Sequence, residues 1–315
     1  MSAIHATEPA APEVSVIVIF LDEECFLEQA LASVTAQTLP TWELVLVDDG
    51  STDRSPDIAR QHAERGDGRI TYLEHPGRET RGMSASRNLG LAHARGELIA
   101  FLDADDVLVP SALAAMVAVL RAHPEVGMVY GPLEYWYSWS GAPEDAERNF
   151  VYPVELAEER VYEPPSLLAP FLQNTAFAPS GMLTRRALLE RVGGFEESFR
   201  NLYEDQVIAA KLCLAAPIYV AGRRWYRYRQ HPESSCLTAA REGRLRAARE
   251  PFLEWLVDYL EQEGHGGSEA WRLARRELQR RPWLPPSRRQ RLGEWVVRAP
   301  RDLRSRLFPR ARLAR

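Results

Sequence analysis

The stretch Leu44-Val45-Leu46-Val47-Asp48-Asp49-Gly50-Ser51-Thr52-Asp53 indicates the fold of this chain, and Leu98-Ile99-Ala100-Phe101-Leu102-Asp103-Ala104-Asp105-Asp106 repeats its pattern. Each begins with a short run of mostly branched apolar residues, which is typical of a buried strand in a parallel sheet. Each run is followed at once by carboxylates. Because open α/β sheets bind ligands at the carboxyl ends of their strands, both clusters are predicted to lie at a ligand-binding edge. Like charges repel, so we expect a cation or a hydrogen-bonding ligand there.

Strands and helices alternate over the first 130 residues. The apolar patterns predict strands at 14–20, 43–47, 70–73, 97–102 and 126–130, and helices at 25–36, 55–65, 84–94 and 110–122, the last with Pro110 at its first position. This alternation indicates an α/β fold with a mostly parallel central sheet, right-handed crossovers and flanking helices.

The alternation stops near Gly131. Residues 131–180 are rich in Pro, aromatic and acidic residues and are predicted to form a substrate-side region. Tyr203-Glu204-Asp205-Gln206 then opens an apolar helix that runs to Ala215, and residues 238–264 have the pattern of one long amphipathic helix. We therefore predict a flexible segment at 1–12, an α/β domain at 13–237 and a helical, basic extension at 238–315.

Composition limits the class of protein. The chain has 315 residues, 45% of them hydrophobic, and a net charge of −5. From residue 271 onward fifteen arginines stand against Glu277, Glu294 and Asp302, a net charge of +12, which leaves −17 on residues 1–270. An acidic body argues against nucleic acid as the main ligand, and the basic tail suggests an anionic partner.

Targeting and redox signals indicate a cytoplasmic protein. No run approaches the roughly 18 apolar residues that span a bilayer. The apolar run at 14–21 has no basic segment before it and is interpreted as a strand rather than a signal peptide. Cys25, Cys213 and Cys236 lack metal-like spacing, and we expect three inert, reduced thiols.

The two acidic clusters predict different chemistry. Asp103 and Asp105 suit Mg²⁺ or Mn²⁺, which accepts one or two carboxylates and completes its shell with water and phosphate oxygens. The alternative is a turn in which Asp106 lies near a helix start. The Asp48-Asp49 pair could accept hydrogen bonds from a base N–H or ribose hydroxyls, whereas Gly50, Ser51 and Asp53 fit a tight turn and a helix cap.

A third acidic pair, Glu204-Asp205, stands at a predicted helix start. An aspartate held there could take a proton from a sugar hydroxyl as a general base. The alternative is that both carboxylates only interact favourably with the helix dipole.

These motifs occur in a recognisable order. Val14-Ser15-Val16-Ile17-Val18 and the Asp48-Asp49 motif are followed by Ser86-Arg87-Asn88-Leu89-Gly90, the Asp103-Ala104-Asp105 motif, Gly193-Gly194-Phe195 and Glu204-Asp205. Over about residues 13–235 the chain resembles the family 2 glycosyltransferases of GT-A fold. The resemblance implies an inverting transferase that uses a nucleotide-diphosphate sugar and Mg²⁺ or Mn²⁺, with a nucleotide-sugar half at 13–130 and an acceptor half at 131–237.

The resemblance also assigns roles to individual residues. Asp205 would be the catalytic base, supported by Glu204. Asp105 would bind the metal, with Asp103 near the metal or the ribose. Asp49, beside Asp48, would read the base, usually uracil. The resemblance places Arg87 near the nucleotide and His231 near the diphosphate, and the alternative for His231 is a surface loop.

Two departures from the family pattern refine these expectations. Phe20-Leu21-Asp22 replaces the frequent Tyr-Asn after the first strand, which affects nucleotide contacts from that loop. Arg224-Trp225 is present, but Ala221 stands where processive polymerases of the family have Gln. The resemblance, with these departures, therefore implies addition of one sugar, from a UDP-sugar, to a glycan or lipid-linked acceptor in bacterial surface polysaccharide or glycolipid synthesis.

Two alternative functions and the position of the basic tail remain open at this point. A nucleotidyltransferase is one, although Leu21-Asp22-Glu23-Glu24 has the wrong charge for binding a triphosphate. A catalytically inactive sugar-nucleotide-binding or scaffold subunit is another. Residues 288–307, with apolar positions at near-helical spacing and arginines between them, could lie on the anionic cytoplasmic face of the inner membrane or dock on the acidic body.

Overall fold

The computed structural model describes residues 11–151, 156–173 and 179–280. Its strands are β1 Val14–Phe20, β2 Trp42–Asp48, β3 Ile70–Glu74, β4 Leu98–Asp103, β5 Val107–Leu108, β6 Met128–Tyr130, β7 Glu134–Trp136, β8 Phe150–Val151, β9 Arg160–Tyr162, β10 Met182–Arg185, β11 Ile218–Val220 and β12 Tyr226–Arg229. Its helices are α1 Leu27–Thr35, α2 Ser55–Arg65, α3 Met83–His93, α4 Ala112–Ala122, α5 Leu168–Gln173, α6 Arg186–Arg191, α7 Glu204–Ala215, α8 Ser235–Arg241, α9 Arg244–Gln262 and α10 Glu269–Arg280.

A large central sheet organises the molecule. Its strand order is β3-β2-β1-β4-β10-β6-β11-β9. The first four strands are parallel, β10 runs antiparallel to both β4 and β6, β11 is parallel to β6, and β9 closes the edge antiparallel to β11. The predicted α/β fold with a central sheet and flanking helices is confirmed, and the parallel character is concentrated in the first half.

The strand register places the acidic clusters together. Asp48 ends β2 beside Phe20 of β1, and Asp103 ends β4 beside Ile19 on the other side of β1. Every residue of β1 and β2 is buried. Both clusters therefore lie at the carboxyl edge of the parallel half, where the sequence predicted a ligand site.

Hydrophobic clusters cover both faces of this sheet. Alternate residues of β1 enter opposite clusters, with Val16 and Val18 on one face and Ile17 and Ile19 on the other, as the period-2 geometry of a strand requires. The first face is covered by α1, α2 and α4, and the second by helices that include α5, α7, α9 and α10.

The region after Gly131 builds a feature that the sequence did not predict. Strands β5, β12, β7 and β8 form a second, four-stranded sheet in that order. Strand β5 follows Asp106 directly, so the small sheet starts at the second acidic cluster. Two-residue strands such as β5 are too short to leave a periodic pattern in the sequence.

Three helix predictions need correction. The expected single helix at 238–264 is two helices, because Gly243 adopts a φ of 74° between α8 and α9 and a left-handed glycine ends a helix. The helices expected at 25–36 and 110–122 each begin two residues later, so Pro110 precedes α4 rather than opening it.

The carboxy-terminal helices share the core of the α/β domain. Phe252 and Leu256 of α9 and Ala274 of α10 belong to the same buried cluster as Ile17 of β1. The domain boundary after residue 237 stays a prediction. The expectations for residues 1–10 and for the basic tail from 281 onward lie outside the described residues.

Two further expectations concern membranes and thiols. In the described ranges, no helix combines the length and apolar character needed to cross a bilayer. Cys25, Cys213 and Cys236 are all free, and Cys213 is buried in the core.

Candidate active site

Asp48 closes the turn that follows β2. Its Oδ1 accepts hydrogen bonds from the backbone N–H groups of Gly50 (3.1 Å) and Ser51 (2.8 Å), and its Oδ2 accepts one from the hydroxyl of Tyr72 (3.0 Å). The side chain is fully buried. Its contacts are thus with the turn, with β3 and with Arg78, whose Nη2 lies 3.8 Å from Asp48 Oδ2, and a direct contact with a nucleotide stays a prediction.

Asp49 holds the segment that leads into α3. Its Oδ1 accepts from the backbone N–H groups of Arg81 (2.8 Å) and Gly82 (3.0 Å) and from the hydroxyl of Ser86 (3.0 Å), whereas its Oδ2 is 2.9 Å from the N–H of Gly82. A carboxylate offers about four acceptor positions. Oδ2 therefore retains capacity for a ligand N–H. The adjacent aspartates fix two different pieces of backbone.

Arg87 joins two carboxylates that are distant in sequence. Its Nη2 donates to Asp103 Oδ1 (2.8 Å) and its Nη1 to Glu204 Oε1 (3.3 Å). Arg87 is 2% exposed, and its guanidinium lies 5.3 Å from the centroid of the Phe195 ring. The arginine therefore lies beneath the two carboxylates, links β4 to α7, and balances part of their charge.

Close packing of α3 on the sheet places Arg87 there. A Cβ atom on Gly90, almost one turn further along α3, would lie 2.5 Å from Cγ2 of Ile17. Only glycine permits this approach without movement of the neighbours.

Asp103 has a second partner across the site. Ser180 Oγ donates to Asp103 Oδ2 and accepts from the Asp103 N–H, both at 3.1 Å. Ser180 lies in the short 3₁₀ turn Pro179–Gly181. It was not among the predicted site residues, because a single serine outside a regular element leaves no pattern.

Asp105 pairs with His231. The Nε2 atom of His231 lies 3.0 Å from Asp105 Oδ2, and the imidazole packs on Phe26 with ring centroids 4.7 Å apart. Burial opposes the charged form, but the hydrogen bond to Asp105 and the charge of that carboxylate raise the pKa of His231 above its ordinary value. The structure thus brings these two predicted residues together and places His231 in a buried position.

Arg229 fixes the backbone of the second acidic cluster. Its Nε donates to the Asp105 carbonyl (2.5 Å), its backbone N–H to Asp106 Oδ1 (2.8 Å), and its Nη2 to Gln29 (2.7 Å). Its guanidinium also lies within 5.3 Å of the ring centroids of three aromatic residues, Phe26, Trp136 and Trp139. The sequence analysis missed Arg229, although it lies two residues before His231.

Asp106 is a fully buried carboxyl next to the partly exposed Asp103 and Asp105. Its Oδ2 has no hydrogen-bond partner among the described residues. Burial, and then the charges of Asp105 and Asp103, raise the pKa of Asp106 well above its ordinary value. Asp106 therefore anchors β12 through Arg229, which is a different role from the helix cap considered from the sequence.

Glu204 and Asp205 form the first turn of α7. Glu204 is buried against Arg87, whereas Asp205 is half-buried and accepts a hydrogen bond from the N–H of Gln206 (2.7 Å). Burial is the largest cause that raises the pKa of both carboxyls, while the charge of Arg87 lowers both. Asp205 has no ion pair within the described part of the chain. It is therefore the more available proton acceptor of the two.

Glu23 is a further carboxyl of the site that the sequence analysis did not propose. Burial, followed by repulsion from Asp105, raises its pKa to about 8, against an opposing effect of His231. Glu23 lies three residues after β1, so its loop adjoins the same sheet edge. The carboxylates of the site outnumber its cations, Arg87, Arg229 and His231, and this imbalance favours a bound cation.

The donor set can be tested against the expected metal. Within the described ranges, no group of three or more His, Cys, Asp or Glu side chains could hold a metal ion. The side chains of Asp103 and Asp105 are 32% and 17% exposed, so both can reach a ligand. These two carboxylates fit Mg²⁺ or Mn²⁺ shared with phosphate oxygens, which needs few protein ligands, and they do not fit a metal held by protein alone.

Comparison with known proteins identifies relatives of this chain. The profile of Glycosyl transferase family 2 matches residues 15–193. An uncharacterised glycosyltransferase of Nostoc sp. is 28% identical over 260 residues, which covers 81% of this chain and 77% of that protein. The uncharacterised glycosyltransferase EpsJ of Bacillus subtilis is 29% identical over 228 residues, or 71% of this chain and 62% of EpsJ.

Solved structures share the fold. TarS of S. aureus, in complex with UDP-GlcNAc, has a TM-score of 0.64 at 19% identity and covers 92% of this chain and 82% of its own. The mannosyltransferase PcManGT of Pyrobaculum calidifontis, in complex with GDP-Man and Mn²⁺, has a TM-score of 0.59 at 24% identity, with coverages of 94% and 79%. These similarities confirm the GT-A fold.

The buried position of Arg87 gives a stability prediction. Arg87→Leu should lower the free energy of unfolding by about 3–5 kcal/mol, because it leaves Asp103 and Glu204 without their buried counter-charge. Urea denaturation measures the loss. The matched control is Arg54→Ala, which removes an arginine whose side chain is 79% exposed in its pair with Glu24 and should leave stability nearly unchanged. Equal losses in the two variants would contradict the structural role of Arg87.

The raised pKa of Glu23 gives a pH prediction. The folded state favours the protonated carboxyl, so its stabilising effect is complete below the ordinary pKa of 4.5 and is lost as the pH rises through about 8. Glu23→Gln, which cannot ionise, should match the wild type near pH 4 and exceed it in free energy of unfolding near pH 9. Urea denaturation in EDTA at both pH values measures this. A constant difference between the two proteins across that range would show that the pKa is not raised.

Proposed function

The chain belongs to glycosyl transferase family 2, and on that premise we propose that it transfers one sugar from a nucleotide-diphosphate sugar to an acceptor hydroxyl, with inversion at the anomeric carbon. The observation that carries this proposal is the group of carboxylates at the carboxyl edge of the sheet. Arg87 joins Asp103 to Glu204 there, while Asp105 and Asp205 remain partly accessible beside it.

The donor would enter at the edge that β2, β1 and β4 share. We assign the nucleobase of the donor to the neighbourhood of Asp49, because Asp49 Oδ2 retains capacity to accept a hydrogen bond from a nucleobase N–H. UDP-GlcNAc and GDP-Man are bound in the solved structures of TarS and PcManGT, which supports a nucleotide sugar as donor. A UDP-sugar is the first choice, since the family pattern that this chain resembles places an aspartate against uracil.

Asp103 and Asp105 are assigned to Mg²⁺ or Mn²⁺ together with the donor diphosphate. The ion, when bound, neutralises charge that develops on the leaving diphosphate. The residues of the chain orient this unit. Arg229 fixes the backbone at Asp105, and His231 and Ser180 fix the carboxylates of Asp105 and Asp103.

Asp205 is assigned the role of catalytic base. The acceptor oxygen forms a bond to the anomeric carbon, the bond from that carbon to the diphosphate oxygen breaks, and the acceptor proton passes to Asp205. Its raised pKa makes Asp205 a stronger base than an ordinary aspartate. Glu204 cannot take this role as readily, because its carboxylate is held by Arg87. One base and one displacement give inversion.

The acceptor is proposed to be a glycan or a lipid-linked saccharide in bacterial surface polysaccharide or glycolipid synthesis. A cytoplasmic enzyme that meets a lipid-linked acceptor would work at the inner membrane, and the fifteen arginines from residue 271 onward would favour an anionic surface. Four of these arginines lie on α10, and the others lie outside the described residues.

A donor screen tests the proposed activity. We expect slow release of nucleoside diphosphate from one nucleotide sugar with Mn²⁺ and without acceptor, and we expect EDTA to abolish it. Asp105→Ala should lose the metal-dependent release because the diphosphate loses its counter-ion. Asp57→Ala, at an exposed carboxylate of α2, is the control. Nucleotide binding without turnover for every donor would favour the inactive binding subunit instead.

Substitution of Asp205 tests the base. Asp205→Asn should retain donor affinity and lower kcat for transfer by about 10²–10⁴-fold, since the amide still accepts from Gln206 but cannot take the proton. Product formation at saturating donor and titration calorimetry measure the two quantities.

The configuration of the product provides the complementary check. NMR of the product from an α-linked donor should show a β-glycoside. An α-glycoside, or normal kcat in Asp205→Asn combined with lost nucleotide binding, would contradict the assigned mechanism.

A further inference from the structure

Tyr203, the residue just before the Glu204–Asp205 pair, has an unusual backbone conformation. Its φ is 65° and its ψ is 4°, a left-handed backbone conformation that residues other than glycine rarely adopt. The carbonyl of Tyr203 accepts the first hydrogen bond of α7, from the N–H of Val207 (2.9 Å). The conformation of Tyr203 therefore sets where α7 starts and where its first two carboxylates lie.

Such a strained conformation persists only where surrounding contacts stabilise it. Here these contacts come from α9. The Tyr203 ring stacks on Phe252 with centroids 5.1 Å apart and planes 14° from parallel. Its hydroxyl donates to the Leu245 carbonyl (3.2 Å), and the guanidinium of Arg249 lies 5.6 Å from its ring centroid. Phe252 is fully buried, so its ring is a fixed surface for the tyrosine.

Helix α9 is itself fixed from the far side. Arg249 forms two hydrogen bonds of 2.9 Å to Glu277 of α10. The Arg249 guanidinium therefore donates hydrogen bonds to α10 and also lies over the Tyr203 ring. The stack, the hydroxyl bond and this ion pair connect the carboxy-terminal helices to the residue in front of the catalytic pair.

The segment before Tyr203 is held from the opposite side by α3. The backbone N–H of Met83 donates to the Arg200 carbonyl (2.7 Å), and Ser84 Oγ donates to the Phe199 carbonyl (2.6 Å). Phe199 also contacts Trp255 of α9, with ring centroids 5.9 Å apart. Residues 199–203 thus lie between the helix that carries Arg87 and the helix that grips Tyr203.

We propose that α9 is a positioning element of the transfer reaction, which acts through Tyr203 to fix the first turn of α7 and hence the carboxylate of Asp205. The claim about catalysis rests on the proposed function, because it takes Asp205 as the base. The claim about position does not, because it concerns only how α9 holds the start of α7. Tyr203 is a positioning residue: its contacts are with α9 and α7.

Two variants, the grip variants, weaken the contacts between Tyr203 and α9 and keep an apolar ring or side chain in the core. Tyr203→Phe removes the hydroxyl, with its hydrogen bond to Leu245 and its interaction with Arg249, and keeps the ring stack. Phe252→Leu removes the stack and keeps an apolar side chain of similar volume. The matched control is Leu260→Ala, which opens a cavity in α9 at a fully buried residue more than two turns from Phe252 and lowers stability without touching Tyr203.

Steady-state kinetics in the full chain separates position from stability. We expect both grip variants to lower kcat at least about fivefold, with KM for the donor within about twofold of the wild type, because a small displacement of a reacting group costs rate rather than ground-state binding. Leu260→Ala should keep kcat below its unfolding temperature, although its urea midpoint falls. Wild-type kcat in Phe252→Leu and Tyr203→Phe, or an equal loss in Leu260→Ala, would overturn the catalytic claim.

Hydrogen exchange provides a readout that needs no activity. Amides in the first turn of α7 should exchange faster in both grip variants and at the wild-type rate in Leu260→Ala. Should the wild type transfer no sugar from any donor, the proposed function fails, and this measurement still decides the positional claim. Faster exchange confined to the grip variants supports it, and unchanged exchange in them overturns it.

Discussion

The arrangement of the site depends on one buried guanidinium. Arg87 reaches Asp103 at the end of β4 and Glu204 at the start of α7, and it comes from α3, which packs tightly against β1 through Gly90. A buried charge is costly unless it is paired. The three elements must therefore meet in one geometry for the arginine to be tolerated. This constraint ties the parallel half of the sheet to α7, the helix that carries the proposed catalytic base.

The carboxylates of this edge divide into those that accept hydrogen bonds from the backbone and those that stay partly exposed. Asp48, Asp49 and Asp106 accept hydrogen bonds from main-chain N–H groups and fix the turn after β2, the entry to α3 and the strand β12. Asp105 and Asp205 keep part of their surface accessible. Asp48 and Asp49 accept hydrogen bonds at both carboxylate oxygens, which offsets the loss of water around them. Asp106 keeps one buried oxygen without a partner among the described residues, and burial raises its pKa.

The second sheet and the carboxy-terminal helices, which lie outside the parallel half, contact residues of the site or their immediate neighbours. The second sheet presents Arg229 to the backbone of Asp105 and encloses its guanidinium among aromatic rings. The carboxy-terminal helices contribute to the same core as β1 and reach Tyr203 in front of α7. Helices α9 and α10 are therefore part of the same packed core as the central sheet.

The sequence by itself determined the first half of the fold and the carboxylates that gather at the edge of the sheet. Strand alternation and helical periodicity are local, so β1 to β4 and α2 were predicted to within about a residue, and the carboxyl-edge rule placed Asp103 and Asp105 correctly at the end of a parallel strand. The break at Gly243 was missed because one glycine inside an otherwise periodic stretch is tolerated in many helices, and only its positive φ ends this one.

Only the tertiary structure decided which of these residues meet. The partners of the site come from distant parts of the chain: Arg87 with Glu204, Asp105 with His231, and Tyr203 with Phe252. Such pairings leave no period in the sequence, because they depend on which faces of separate elements pack together. Whether a carboxylate accepts hydrogen bonds from the backbone or stays partly exposed also depends on this packing. The sequence supplied the chemical groups, and long-range packing assigned their roles.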